Sequence, residues 1–339
     1  MTMTRRAFLR WMAIQFGAMT GGRLLAACGK PEDQIRTVAP PGKNTSTVPP
    51  KDTAAQPVPS ITPEPTTPAY PDMVVARGGE PDALVRAALD ALGGMEQFVK
   101  PGYDVIVKPN ICVAYHTYEY AATTNPWVVG TLVKLCWGAG AARVRVMDYP
   151  FGGTAEQAYI RSGIEEQVLA AGGMMEPIAF FKFVETDIPE GVDLRTCEIY
   201  DDVLQADVVI NVPIAKHHSL ARLTLGMKNL MGVIKDRPAM HRNLGQRLAD
   251  LTSRVRPALT VVDAVRILQD NGPTGGDLND VQKLDTVIAS PDIVAADSYA
   301  ATLFGLEPEH LDYVVAGEAM GLGRSDLGSM MIEEIIVGA

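Results

Sequence analysis

Between Lys216 and Arg242 the chain places Lys216, Arg222, Lys228, Lys235, Arg237 and Arg242 against one acid, Asp236. Three of its five histidines, His217, His218 and His241, fall in the same stretch. The whole chain carries a net charge of −10, so this is a local reversal of sign. An apolar run, Val208-Val209-Ile210, leads into it and breaks at Asn211 and Pro213. That order reads as a buried strand delivering a cationic, His-bearing segment to its carboxyl end, where a small anion or a metal ion would be held.

Individual residues sharpen this reading. Lys108 closes the apolar run Val105-Ile106-Val107 and precedes Pro109, so its ammonium can enter a crevice and meet a carboxylate or phosphate, with Asn110 orienting the ligand. Adjacent residues of an extended segment point to opposite sides, so Lys216 and His218 share one side and His217 takes the other. His218 is the candidate general acid/base, with Lys216 beside it and Asp263 tuning or assisting it. Lys228 and Asn229 lie in the apolar run LTLGMKNLMG, and a lysine there reaches an anionic ligand or an internal acid such as Asp148 or Asp263. Asn211 and Asn229 are expected to orient the ligand, and Asn271 opens an NGPTGG turn whose backbone N–H groups suit an anion. The candidate catalytic residues are therefore His218, Lys216 and Asp263. The candidate binding residues are Lys108, Asn110, Asn211, Lys228, Asn229 and Asn271.

A metal is possible without a motif, since His218, His241, Asp236 and Asp263 supply nitrogen and oxygen donors. The cofactor stays open between a metal ion and an iron–sulfur cluster, and no local motif encodes either: there is no CxxC in the chain. Cys136 lies in an apolar helical pattern and reads as core. Cys112 follows a strand end and is a candidate ligand or reactive thiol; a cluster shared between the Cys112 residues of two subunits is a third reading. Met227, Met231 and Met240 read as core filling.

These residues need elements to position them. β-rich runs at Asp104–Lys108, Arg143–Asp148, Ala206–Val212, Ala258–Asp263 and Thr286–Ser290 alternate with helical patterns at Pro81–Leu92, Pro126–Cys136, Ala155–Ala171, Leu244–Val255 and Ile293–Phe304. The alternation predicts an α/β fold, a mainly parallel β-sheet flanked by helices, with length to spare for a small inserted lobe. The strands are near-continuous Val/Ile runs, as strands covered on both faces are. Polar residues follow each of them, at the strand ends where such folds bind ligands.

Other classes lose support. Residues 73–339 hold 22 Lys and Arg against 35 Asp and Glu, which argues against nucleic-acid binding. The chain has no G-x-x-x-x-G-K-[ST], no G-x-S-x-G and no H-E-x-x-H.

Residues 1–28 read as an export signal. Arg5-Arg6 in TRRAFLR is a twin-arginine pattern for the Tat translocase, a short apolar segment follows, and Leu25-Ala26-Ala27-Cys28 looks like a lipobox. The expected mature protein is anchored to a membrane through lipidated Cys28 and faces the periplasm or cell exterior. Residues 29–72 hold eleven of the 24 prolines and read as an extended Pro/Thr-rich tether. Residues 73–339 form the domain.

The motifs VIVKPN (105–110), DVVINVPIAKHH (207–218), LTLGMKNLMGVI (223–234), VVDAV (261–265) with NGPTGG (271–276), and ASPDIVAADSYAATLFG (289–305) together resemble the DUF362 family. The resemblance spans nearly all of 73–339 and implies an α/β domain of uncharacterised function. Some members carry an added ferredoxin-like module, which this chain lacks. Two functions follow: an enzyme acting on a small anionic substrate, or a tethered lipoprotein that binds a solute or cofactor without transforming it.

Overall fold

The computed structural model describes residues 70–338; the expected signal peptide, Cys28 and nearly all of the expected tether lie outside the described residues. Twelve strands occur among the described residues: β1 (Met73–Arg77), β2 (Asp104–Pro109), β3 (Arg143–Val146), β4 (Met174–Met175), β5 (Phe183–Asp187), β6 (Thr196–Tyr200), β7 (Val208–Val212), β8 (Ile214–His218), β9 (Arg222–Thr224), β10 (Leu259–Leu268), β11 (Val281–Ser290) and β12 (Ile332–Ile336). The helices are α1 (Pro81–Ala91), α2 (Pro126–Gly138), α3 (Ala155–Ser162), α4 (Ile164–Ala170), α5 (Asp201–Gln205), α6 (Gly226–Asn229), α7 (Arg237–Met240), α8 (Leu244–Val255), α9 (Ile293–Thr302) and α10 (Asp312–Ala319).

Ten strands form one sheet with the path β12-β1-β11-β10-β7-β2-β3-β4, and β8 pairs with β10 and β9 off that path. β2 is parallel to both β3 and β7, and β10 is parallel to β7. β11 runs antiparallel between β1 and β10. The sheet is therefore mixed and mainly parallel. β5 and β6 form a separate two-stranded antiparallel sheet whose Phe183, Ile199 and Tyr200 join the main core, so the inserted segment packs onto the domain rather than forming a lobe of its own.

Alternation within the strands sorts the core. Ile106, Val209, Val262 and Ile288 pack on one face of the sheet, and Val105, Val107, Ile210, Val261 and Val287 on the other. Both faces are covered, which is why these strands are apolar throughout rather than alternating with polar residues.

Local chemistry sets the ends of the helices. Asn125 caps α2, its side chain accepting from the Trp127 N–H at 3.0 Å, and Pro126 fills the first helical position. The expected helix over Ala155–Ala171 is two helices, because Gly163 takes a left-handed conformation (φ 78°) and ends α3 before α4 begins.

From β2 the chain passes to β3 and β4 on one side, then returns to β7 and β10 on the other. The order reverses between β2 and β7, where Lys108 pairs in register with Asn211. In open α/β sheets the strand carboxyl ends at such a reversal form a crevice. Among the described residues, no helix is long and apolar enough to cross a membrane.

Candidate functional site: a lysine-rich crevice at the sheet reversal

Lys108, at the end of β2, is fully buried. Its Nζ donates to Asp148 Oδ1 at 2.7 Å, Asn229 Oδ1 at 3.0 Å and the Pro109 carbonyl at 2.9 Å. Burial lowers its pKa and Asp148 opposes that shift. Asp148 also accepts the Ile111 N–H at 2.6 Å, so both its oxygens are engaged.

Asn229 ties the strand ends together. Its Oδ1 accepts from Lys108 and from Asn110 Nδ2 (2.9 Å), while its Nδ2 donates to Asn211 Oδ1 (2.9 Å) and the Lys108 carbonyl (3.2 Å). Asn211 in turn donates to the Gly226 carbonyl at 2.9 Å. Lys216, 1 % exposed on β8, gives its three protons to Asn110 Oδ1 (2.9 Å), the Ala122 carbonyl (2.6 Å) and the Pro273 carbonyl (2.9 Å). Cys112 lies against the same Pro273 oxygen, at 3.5 Å. Five of the residues expected to form a site are thus one hydrogen-bonded group: Lys108, Asn110, Asn211, Lys216 and Asn229.

Lys228 differs from both of these lysines. It sits on α6 next to Asn229 and forms no hydrogen bond or ion pair with the described residues. The side chain is half-buried by surface area, yet its amine is densely surrounded, as an amine at the foot of a crevice would be. Burial first, then the charges of Lys216, Arg237 and Lys108, bring its pKa down to about 8, with Cys112 opposing them. Its helix is held by Asp297 of α9, whose two oxygens accept the N–H groups of Gly226 (2.6 Å) and Met227 (2.9 Å). Arg237 completes the cations. It donates to the Tyr149 and Pro150 carbonyls at 3.0 Å each, and its guanidinium lies 4.0 Å from the Tyr149 ring centre. The crevice therefore gathers Lys108, Lys216, Lys228 and Arg237 around one bonded carboxylate, Asp148.

His218 keeps company with Lys216 and Lys228 but in a specific state. Its Nδ1 accepts the backbone N–H groups of Leu220 (3.1 Å) and Ala221 (3.3 Å), which places the proton on Nε2. Burial and the neighbouring cations, Lys228 foremost, push its pKa down to about 2. The imidazole is neutral at ordinary pH and offers an N–H. His217 is on the opposite side of β8, as alternation requires, with Nδ1 accepting the Gly272 N–H at 3.1 Å. Lys216 to His218 form a strand rather than the start of a loop.

Two expected site residues have other work. Asp263 is fully buried, and its oxygens accept the N–H groups of Asn125 (2.6 Å) and Val265 (3.0 Å). It fixes the entry to α2, and no hydrogen bond joins it to His218. Desolvation raises its pKa to about 6. Asn271 takes a left-handed conformation (φ 54°), which asparagine tolerates, and donates to Asp280 Oδ2 at 2.8 Å in an exposed turn. The four donors considered for a metal do not assemble. Asp263 is occupied as described, Asp236 caps α7 through the Ala239 N–H (3.2 Å), and no three His, Cys, Asp or Glu side chains converge among the described residues. Cys112 is buried, 7 % exposed, beside the Pro273 carbonyl.

Sequence reasoning missed Arg237 as a member of the site, and it missed Gly232. A Cβ at Gly232 would stand 1.8 Å from Asp148 Oδ1 and 2.7 Å from Lys108 Nζ. Gly232→Ala is expected to lose about 3 kcal/mol, the upper range for overpacking, because the clash falls on a buried ion pair that cannot move apart cheaply. A urea midpoint unchanged from wild type would contradict this.

Two open cavities, of about 410 and 690 Å³, lie elsewhere among the described residues. The first is walled by Tyr118, Trp127, Lys134 and Arg266, and neither includes the lysine group. Unmatched charge and an unpartnered amine, rather than volume, mark the crevice.

Comparison with known proteins places this arrangement in a family. The model of the domain of unknown function DUF362 matches residues 105–302, which contain every side chain of the crevice. The chain belongs to the DUF362 family. A thylakoid-associated protein of Synechocystis sp. is 31 % identical over 251 residues, covering 71 % of this chain and 75 % of that protein. Among solved structures, the lactate racemase apoprotein of Thermoanaerobacterium thermosaccharolyticum is 11 % identical with a TM-score of 0.41, covering 68 % of this chain. A Thermotoga maritima protein is 10 % identical with a TM-score of 0.40, covering 67 % of this chain. The DUF362 chain spans 56 % of the first of these structures and 60 % of the second.

Proposed function

We propose that this DUF362 protein binds a small anionic molecule in the crevice at the carboxyl ends of β2 and β7. One observation carries the reading: Lys228 is gathered with Lys108, Lys216 and Arg237 and forms no ion pair with a carboxylate among the described residues. Holding several cations together in low dielectric is costly unless an anion joins them. Lys108 is neutralised by Asp148 and belongs to the frame. Lys216 spends its three protons on neutral oxygens, so it fixes the loops and contributes its field. Lys228 and Arg237 are the cations with donors to spare. His218 adds a neutral Nε2–H, a hydrogen-bond donor to the ligand rather than a base.

Calorimetric titration of the full-length chain with sodium oxalate, succinate and phosphate tests this. At least one is expected to bind, more weakly as salt is raised. Lys228→Ala and Arg237→Ala should each weaken binding by about tenfold to a hundredfold, the loss of a charged hydrogen bond. Lys134→Ala, at the separate cavity, should leave it unchanged. No heat with any of the anions, or equal affinity in Lys228→Ala, rejects the reading.

The export signal and lipobox support a second, independent part of the proposal: the domain works outside the cytoplasm, tethered through Cys28. The Synechocystis relative is named as a thylakoid-associated protein. Cys28→Ala should move the protein from the membrane fraction to the soluble fraction. Retention in the membrane fraction would exclude the anchor.

A further inference from the structure

We propose that the cavity of about 410 Å³ beside α2 is a second ligand site, one that takes a small aromatic carboxylate. It is separate from the lysine crevice and does not depend on it.

Three parts of the chain wall this cavity. One face of α2 supplies Trp127, Thr131 and Lys134, at the i, i+4 and i+7 spacing of a single helical face. The segment before α2 supplies Tyr118, and the β10–β11 pair supplies Arg266 and Lys283. Asp263 joins the parts. Its oxygens accept the N–H groups of Asn125 (2.6 Å) and Val265 (3.0 Å), and both of those residues line the cavity. A fully buried carboxyl thus fixes the start of α2 against β10, so the cavity is preformed, as small-molecule sites usually are.

Its aromatic rings stand outside the core. Trp127 is 41 % exposed, although it is the first large side chain of α2. Tyr118 meets it edge-to-face, with ring centres 5.1 Å apart and planes at 80°. Two rings set this way form a corner, where a third ring stacks on one and turns its edge to the other. The Arg266 guanidinium lies 5.6 Å from the centre of the Tyr118 ring, and it forms no hydrogen bond or ion pair among the described residues.

Charge names the other half of the ligand. Arg266 stands directly opposite Lys283 in the β10–β11 register, and like charges so placed repel. Asp285 offsets Lys283 at 2.9 Å, whereas Arg266 has no such partner. The pairing is irregular at this point: Val265 alone faces Leu284 and Asp285, and Asp285 takes a left-handed φ of 44°. Bulges of this kind re-aim side chains and recur beside binding sites. An unpaired guanidinium next to two rings suits a carboxylate carried on an aromatic group, which it holds through two parallel N–H bonds. The lining also limits the charge. Arg266, Lys134 and Lys283 are matched in number by Glu80, Asp82 and Asp285, so a single carboxylate fits better than a phosphate or a polycarboxylate.

The test titrates the full-length protein with sodium phenylacetate, read by calorimetry and by tryptophan emission. Phenylacetate is expected to bind and to change the emission. Acetate keeps the carboxylate without the ring, and 2-phenylethanol keeps the ring without the charge; each should bind at least about tenfold more weakly. Arg266→Gln should weaken phenylacetate by about tenfold or more, the loss of a charged hydrogen bond. Trp127→Phe keeps a ring at the corner, so heat should remain while the emission change disappears. Arg254→Ala, at the other open cavity, should match wild type. No heat with phenylacetate, or equal affinity in Arg266→Gln, overturns the proposal. Acetate binding as tightly as phenylacetate overturns it too, because the rings would then contribute nothing. An emission change that persists in Trp127→Phe puts the ligand elsewhere and overturns it as well.

Discussion

Lys108→Met is expected to destabilise the protein by about 3–5 kcal/mol, the cost of leaving one member of a buried ion pair without its partner. For a domain of this size that is roughly 5–9 °C in Tm. Methionine keeps the length and apolar stem of lysine, so packing is largely retained and the loss is electrostatic. Asp148 would keep the Ile111 N–H and lose its 2.7 Å contact, while Asn229 Oδ1 would lose one of two donors. The double variant Lys108→Met/Asp148→Asn separates charge from packing. Asparagine can still accept from Ile111 and carries no charge to strand, so most of the loss should be recovered. Urea unfolding of the two single variants, the double variant and wild type closes the cycle. A single variant within 1 kcal/mol of wild type, or a double variant no better than the single, would show that the pair does not hold β2 and β3 together at this end.

The site was legible in the sequence where local pattern controls it. Val105 to Asn110 and Val208 to Asn211 are apolar runs that stop at polar residues, and their ends do meet in register. The alternation rule also placed Lys216 and His218 together, since both are buried and His217 is less so. What the pattern could not supply was long-range hydrogen bonding. Asp263 ends a buried strand just as Asp148 does, yet its oxygens are taken by amides at Asn125 and Val265, the first of them 138 positions away. Asn271 looked like a ligand-binding turn residue until its bond to Asp280 is seen. Arg237 was one of six basic residues in a run; stacking on Tyr149 singles it out, and Tyr149 comes from a different loop. β8 was hidden because IAKHH lacks the apolar character of the other central strands, its polar side chains being absorbed by the crevice. β1 and β12 pair with each other, and each is only five residues long.

Asp297 should give the stability of this protein an unusual dependence on pH. Its carboxyl is fully buried on α9, and desolvation raises its pKa to about 7 despite the two N–H groups it accepts. The unfolded value is near 3.8. Between those two values the folded state keeps a proton that the unfolded state has released. The unfolded state then binds fewer protons, so stability falls as pH rises from about 4 to 7, by on the order of 3–4 kcal/mol in all. Asp263, raised to about 6, acts in the same direction over a shorter span. His218 acts in the opposite sense. Its folded pKa of about 2 lies below the unfolded value near 6.5, so the unfolded state takes up the extra proton and stability is lost as pH falls below 6.5. Between pH 4 and 6 two carboxyls outweigh one imidazole, and above 6.5 Asp297 acts without that opposition. Asp297→Asn isolates its share. Asparagine is neutral at every pH and, like the protonated acid, offers one good acceptor to the amides of Gly226 and Met227. Its stability relative to wild type should therefore improve by about 3 kcal/mol from pH 5 to pH 8 in urea unfolding. Parallel curves for the two proteins would mean that Asp297 is ionised throughout. In that case α6, and Lys228 with it, would be held by a permanent negative charge rather than by a carboxyl that titrates near neutrality.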